Sequence, residues 1–249
     1  RQLRDFLCCL YSPDTVVHIV VGVRDDGEWE RMKGSLPQRV GSTSLVHECD
    51  YEEHKAGDPR RWLKVRQRTA GTLSTRNLAD LHAVNALGYS VFFTINPHNC
   101  CRRWKATIPV AMYVDLESDS MDVALQEQLF TSPLIRPWIR AVIFSGGRSC
   151  HALLRLGAPV WSPGLISVKQ ALATGTKDRP RFSWDEYVQA AERLIRMFSC
   201  QGLQLDEDVA KDVNRVTRLP GFVHPSTGGT VRVLMANPGA PGWDNGISE

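Results

Sequence analysis

Apolar and polar positions along the chain fall into short blocks with two different periods. Residues 1–11 read as a short helix. Residues 16–23 form an almost unbroken apolar run that predicts a strand, closed by a turn at Asp25-Asp26-Gly27. Residues 61–68 alternate strictly, placing Leu63 and Val65 on one side and Trp62, Lys64, Arg66 and Arg68 on the other. A helix is predicted over 75–87, capped by Ser74 or Thr75, with Leu78, Leu81 and His82 at helical spacing and Gly88 ending it. Two β segments follow, 89–95 and 108–116, joined by the basic loop 96–105. A helix over 120–130, a strand over 141–144, a turn through Ser145-Gly146-Gly147-Arg148 and a strand over 150–156 come next. Residues 184–200 predict a long amphipathic helix with Tyr187, Ala191, Leu194, Ile195 and Phe198 on one face. A shorter helix over 209–216 and a last strand over 231–235 complete the pattern. The Pro- and Gly-rich residues 236–249 read as a linker.

Strands and helices interleaved in this way define an α/β chain. Its 249 residues suffice for a sizeable core, and 43% hydrophobic with 23% charged residues excludes disorder and fibres. We read residues 1–235 as one domain, with an N-terminal subregion to about residue 105 and a chemical core over 106–235. No apolar run is long enough to cross a bilayer, so no membrane partner is expected. No secretory signal is visible, and the chain opens on Arg1, as expected of a domain from a longer protein. The seven cysteines are odd in number and include the adjacent pairs Cys8-Cys9 and Cys100-Cys101, which favours reduced thiols and an intracellular location. His98 and Cys100-Cys101 lack a second ligand pair at zinc spacing, so no structural zinc is expected. A net charge of +3 is too small to establish nucleic-acid binding by itself.

Three stretches carry candidate chemistry. In Tyr113-Val114-Asp115-Leu116-Glu117, residues two apart share a strand face, so Asp115 and Glu117 project together while Val114 and Leu116 enter the core. Adjacent carboxylates repel unless a cation lies between them, and a divalent metal is the natural partner. An acidic strand end without a ligand fits this stretch as well. In Ser145-Gly146-Gly147-Arg148-Ser149-Cys150-His151, paired glycines allow a tight turn whose amides face an anion. Arg148, Ser145, Ser149 and His151 would add donors suited to a triphosphate. A plain hairpin is the competing reading. The third stretch runs from Leu205-Asp206 through Asp208, Asp212, Arg215 and Arg218 to Leu219-Pro220-Gly221 and Val223-His224-Pro225.

Taken in order, these stretches resemble the archaeo-eukaryotic primase superfamily, which includes primase small subunits and primase-polymerases. The resemblance spans about residues 75–235, with residues 88–96 similar to the strand before the first motif. It implies a catalytic core with a mainly antiparallel, RRM-like sheet flanked by helices. By position it implies that Asp115, Glu117 and Asp206 are catalytic and hold two Mg2+ or Mn2+ ions, with Asp208 and Asp212 as rivals for the third ligand. Ser145, Arg148, Ser149, His151, Arg218 and His224 would bind an NTP or dNTP. The chain departs from the family pattern at Gly147, where a second basic residue is common, at Ser226, where a lysine is common, and in lacking an evident zinc insertion.

The implied reaction is template-directed nucleotidyl transfer, with a DNA primase or primase-polymerase making or extending primers on single-stranded DNA. Trp62, Lys64 and Arg66, with Arg102, Arg103, Lys105 and the adjacent Trp104, are candidate template contacts, because basic side chains grip phosphates and indoles stack on bases. A fused or associated helicase, or another replication protein, is an expected partner. The alternatives are a metal-dependent nuclease using the same carboxylates, and a noncatalytic single-strand-binding module of a replication initiator. Repulsion between Asp115 and Glu117 further predicts that Asp115→Asn leaves the metal-free fold intact or slightly more stable.

Overall fold

A computed structural model describes residues 2–12, 15–23, 61–69, 75–96, 110–161, 184–200, 202–213, 215–241 and 243. The elements are α1 (Gln2–Leu10), β1 (Val16–Val23), β2 (Arg61–Thr69), α2 (Thr75–Ala86), β3 (Ser90–Thr94), β4 (Val110–Glu117) and α3 (Val123–Phe130). They continue with β5 (Ile139–Phe144), β6 (Cys150–Trp161), α4 (Trp184–Ser199), α5 (Glu207–Lys211), β7 (Val216–Arg218) and β8 (Arg232–Ala236).

The strands form two four-stranded sheets rather than one. The first has the order β2-β1-β3-β7 and the second β4-β6-β5-β8. Every pairing between these strands is antiparallel. β7 belongs to the first sheet although it lies late in the chain, so the N-terminal subregion is completed by residues from the C-terminal half.

The period-2 pattern explains how the second sheet serves two cores. Tyr113, Ala141, Ile143 and Leu153 join a cluster with α1 and with Ile19, Val21, Val91 and Phe93 of the first sheet. Val114, Leu116, Val142, Ala152 and Leu154, from the opposite face, pack with Tyr187, Ala191, Leu194 and Phe198 of α4. Asp115 and Glu117 alternate with Val114 and Leu116, so they share the face that looks toward the first sheet. Polar ties fix that arrangement. The Asn96 carboxamide accepts from the Met112 and Tyr113 amides and donates to the Tyr113 and Val213 carbonyls. The Tyr113 hydroxyl donates to the Leu10 carbonyl.

Four expectations change. The helix predicted over 120–130 starts at Val123, because the Asp122 carboxylate accepts from the Ala124 and Leu125 amides and caps it. The helix predicted over 209–216 divides: α5 ends at Lys211, and 216–218 becomes β7, pairing Val216, Thr217 and Arg218 with Thr94, Phe93 and Phe92. Val209, Val213 and Val216 have helical spacing, but β-branched Val216 and Thr217 fit a sheet edge and gain inter-strand hydrogen bonds there. In β2, an irregularity between His18 and Val20 of the partner strand breaks strict alternation: Lys64 pairs with Val20, whereas Arg68 pairs with Val17. Beyond β8, the described part of the stretch read as a linker lies against the fold: Ala240 is buried, and the Trp243 backbone exchanges hydrogen bonds with Arg155 and Gly157, while residues 242 and 244–249 lie outside the described residues.

Candidate active site

The end of β4 and the start of β6 bring three ionisable side chains together. Glu117 lies directly opposite His151, and Asp115 is two pairs further along, opposite Leu153. Directly opposed residues share a face, so all three project into the space between the sheets. His151 Nδ1 is 3.0 Å from Asp115 Oδ2, and its Nε2 is 3.5 Å from Glu117 Oε1. Asp115, Glu117 and His151 are all buried. Burial alone would lower the His151 pKa; the negative charges of Asp115 and Glu117 outweigh it and hold the imidazole above its ordinary value.

A second cation closes the cluster. Arg215 follows α5, and its Nη2 donates to Glu117 Oε2 at 2.7 Å while its Nε lies 3.8 Å from Asp115 Oδ2. The two carboxylates are therefore balanced by an imidazole and a guanidinium. The Ser149 hydroxyl donates to Glu117 Oε1 at 2.7 Å.

The Ser-Gly-Gly-Arg turn is built on Ser145. Its amide donates to the Ser149 carbonyl, and its hydroxyl accepts from the Gly147 and Ser149 amides. Those two amides thus stabilise the turn itself. Gln126, fully buried, accepts from the Cys150 amide and donates to the Arg148 carbonyl, anchoring the turn to α3. Gly146 has φ +78°, and a Cβ there would lie 2.6 Å from the Gly229 carbonyl oxygen. The second turn, residues 224–229, thus packs backbone to backbone on the first, and the Thr227 hydroxyl donates to the Gly146 carbonyl. His224 faces Gly147; its Nδ1 accepts from the Ser226 amide, which leaves Nε2 as the protonated nitrogen toward the turn.

These parts line one cleft of about 570 Å³ that includes Glu117, Ser145, Arg148, His151, Arg215 and His224. Its other wall belongs to the first sheet: Gly22, Ser90, Phe92 and Arg218. Arg218 donates to the Ser90 hydroxyl and lies over the Phe92 ring at 4.9 Å. A cleft with Glu117 at its base and Asp115 buried beneath it, hydroxyls and cations on its walls and an aromatic ring has the composition to take a charged, partly aromatic ligand.

No family model and no curated protein matches the sequence. Solved structures do match. The AEP domain of the cyanophage S-2L primase-polymerase superposes with a TM-score of 0.53 at 16% identity, covering 98% of this chain and 93% of that one. The fold is that of an archaeo-eukaryotic primase-like core. Two further structures are more distant. Primase RepB′ matches with a TM-score of 0.44 at 13% identity, over 94% of this chain and 56% of its own. The polymerase domain of Mycobacterium tuberculosis ligase D in complex with DNA gives 0.41 at 11%, over 98% and 84%.

Within this primase-like core the expected residues divide into four groups. Glu117, Ser145, Arg148, Ser149, His151, Arg218 and His224 line the cleft, and Asp115 lies beneath it against His151. Arg148 stands at the rim, largely exposed, paired with Asp119 at 3.2 Å. Asp206 is adjacent but turned to another task. Its amide donates to the Glu117 carbonyl at 2.8 Å, while its carboxylate caps α5 by accepting from Val209. Asp208 is exposed in the first turn of α5, and Asp212 is its C-cap. Trp62 and Lys64 are paired with Gly22 and Val20 of β1, which locates their strand beside the cleft wall. Arg102, Arg103, Trp104 and Lys105 lie outside the described residues.

Two residues that order the site carry no local sequence signal. Arg215 meets Glu117 across 98 positions, and Gln126 meets the turn from the second turn of an unremarkable helix. The turn after α5 and the Ile95 amide, which donates to the Arg215 carbonyl just before β7 pairs with β3, hold Arg215 beside the carboxylates.

Among the described residues, no three His, Cys, Asp or Glu side chains converge on a metal-holding arrangement. The donors nevertheless fit a divalent cation in kind. Asp115 and Glu117 offer hard carboxylate oxygens from one rigid strand, the type that Mg2+ and Mn2+ take.

Proposed function

We propose that the chain is a template-directed nucleotidyltransferase of the primase or primase-polymerase kind, acting on single-stranded DNA with an NTP or dNTP. The supporting observation is the meeting of Asp115, Glu117 and His151 with the Ser145–Ser149 turn, Arg218 and His224 around one cleft. The shared fold of the cyanophage primase-polymerase domain supports the same reading.

In this reading Asp115 and Glu117 hold the catalytic Mg2+ or Mn2+, and Asp206 joins them by releasing its cap on α5. Bound there, divalent ions supply charge neutralisation of the triphosphate and a lowered pKa for the attacking hydroxyl. The chain's own residues do the rest. Arg148, Arg218 and the Nε2–H of His224 bind phosphate oxygens from two sides of the cleft, which aligns the α-phosphate for in-line attack by a 3′-hydroxyl. His151, held between Asp115 and Glu117, fixes both carboxylates and adds positive charge beneath the phosphates; it needs no role as a base. The 3′-oxygen bonds to the α-phosphorus, the bond to the β-phosphate breaks, and pyrophosphate leaves. Phe92, beside Arg218, offers a face for a base. β2, with Trp62, Lys64 and Arg66, extends that wall and is the expected template side.

The test is labelled-nucleotide incorporation on a primed single-stranded template, with wild type beside Glu117→Gln. Wild type should extend the primer with pyrophosphate release, and the variant should not. Degradation of the oligonucleotide without nucleotide would favour the nuclease reading. Binding that survives Glu117→Gln, with no pyrophosphate released by either protein, would favour a noncatalytic module.

A further inference from the structure

Arg215 occupies the place that a cation shared by Asp115 and Glu117 has to enter. Its Nη2 is 2.7 Å from Glu117 Oε2, and its Nε is 3.8 Å from Asp115 Oδ2. The residue has two independent anchorages: its head group pairs with the carboxylates, and its backbone is fixed separately, the amide donating to the Asp212 carbonyl and the carbonyl accepting from the Ile95 amide. The head group can therefore change partner while the base of the side chain stays in place. The guanidinium is also incompletely engaged, since buried Nε has no hydrogen-bond partner. Arg215 lines the same cleft as Ser145, Arg148, Arg218 and His224. A pivot within that cleft carries it from the carboxylates toward the groups placed around the phosphates.

We propose that Arg215 is a resident counter-ion that exchanges from the Asp115–Glu117 pair to the phosphates of the incoming nucleotide, so that divalent-cation binding and nucleotide binding reinforce each other. The inference rests on the reading of Asp115 and Glu117 as cation ligands. Its physical basis is charge balance. A guanidinium stays protonated at any working pH, so it cannot make room for a second cation by losing its charge. It must move. Its planar fork suits phosphate as well as carboxylate, so a triphosphate in the cleft offers it an equivalent partner. Without nucleotide the exchange has no destination, and the carboxylates remain paired with Arg215. Linkage then requires each ligand to tighten the other by the same factor.

Mn2+ binding, read from the electron paramagnetic resonance of the free ion, tests this without any turnover. Wild type, Arg215→Gln and Arg215→Lys are titrated alone and with a nonhydrolysable nucleoside triphosphate, against blanks of the analogue itself. Arg215→Gln should bind Mn2+ alone about tenfold or more tightly than wild type, within the usual range of such couplings. The analogue should tighten Mn2+ strongly in wild type and much less in Arg215→Gln, while Arg215→Lys, which keeps the charge, should stay near wild type for Mn2+ alone. Equal Mn2+ affinity in wild type and Arg215→Gln, or equal tightening by the analogue, overturns the exchange. Wild type that binds no Mn2+ even with the analogue overturns the ligand reading itself, and the inference with it. Should Arg215→Gln fail to fold, the Arg215 side-chain 15Nε–H resonance of wild type decides. It should shift when Mg2+ and the analogue are added together, and an unmoved resonance overturns the proposal.

Discussion

Asp115 has no exposed surface, and its charge is shared with His151 at 3.0 Å and Arg215 at 3.8 Å. Its substitution therefore acts on two buried cations as well as on one crowded carboxylate. Repulsion between neighbouring carboxylates alone predicts a neutral or stabilising Asp115→Asn. The pairing seen here reverses that sign, because the remaining imidazolium and guanidinium lose a charged acceptor in a buried setting. Asp115→Asn should cost roughly 1–3 kcal/mol in metal-free thermal melting, as expected when a charged buried acceptor becomes neutral. Arg148 is the opposite case. Its side chain is 78% exposed and its partner Asp119 is exposed too, so Arg148→Ala should change stability by no more than about 0.5 kcal/mol. A nucleotide titration of the same variant should show about a tenfold higher nucleotide requirement, since a charge-assisted phosphate contact is lost. Cys150, next to the turn, tests burial independently. Burial pushes its thiol up to about 12, with the Glu127 charge adding to the effect. At pH 8 almost none of it is thiolate, so a maleimide should label exposed Cys8 and Cys200 in the native protein and spare Cys150 until unfolding. Labelling of Cys150 at the rate of Cys8 would contradict the packing of this strand.

At the scale of elements, the cleft depends on two turns packed against each other through glycine. A Cβ on Gly229 would lie 2.1 Å from the Gly146 carbonyl oxygen, and Gly146 itself is at φ +78°. Neither obstacle is a flexible side chain that can step aside. Gly146→Ala should therefore lower the melting temperature by the equivalent of about 1–2 kcal/mol from the left-handed backbone alone, before any steric cost is counted. It should also weaken nucleotide binding, by displacing His224 from Gly147. Unchanged melting and binding would show that the turns do not meet as described. Much of this scale was legible in the chain. Strand 16–23, the helix over 184–200 and the acidic end of β4 follow from apolar periodicity and are found where expected. The division of 209–216 into α5 and β7 was not legible, because the spacing of Val209, Val213 and Val216 favours a helix and only pairing with distant β3 decides otherwise.

For the whole molecule, the two sheets and their shared core place a basic, aromatic wall across from an acidic floor. The wall's Phe92 and Arg218 come from β3 and β7, while the floor's Asp115 and His151 come from β4 and β6. Sequence order separates these by up to about half the chain, which is why the residues could be nominated locally but their meeting could not. Arg215 shows the difference most sharply: its neighbours in sequence give no reason to pair it with Glu117, and the return of β7 to the first sheet supplies the reason. Asp206 shows the converse, a nominated ligand that stands beside Glu117 while its carboxylate caps a helix. The central claim is that this cleft joins nucleotides on a template. The most direct measurement is incorporation of labelled nucleotides on a single-stranded DNA template, with and without a primer, in Mg2+ or Mn2+, for wild type and Asp115→Asn. Wild type should give metal-dependent products with released pyrophosphate in equal amount, and Asp115→Asn should give neither. Products made at a normal rate by Asp115→Asn, or no product from wild type with any nucleotide and either metal, would contradict it.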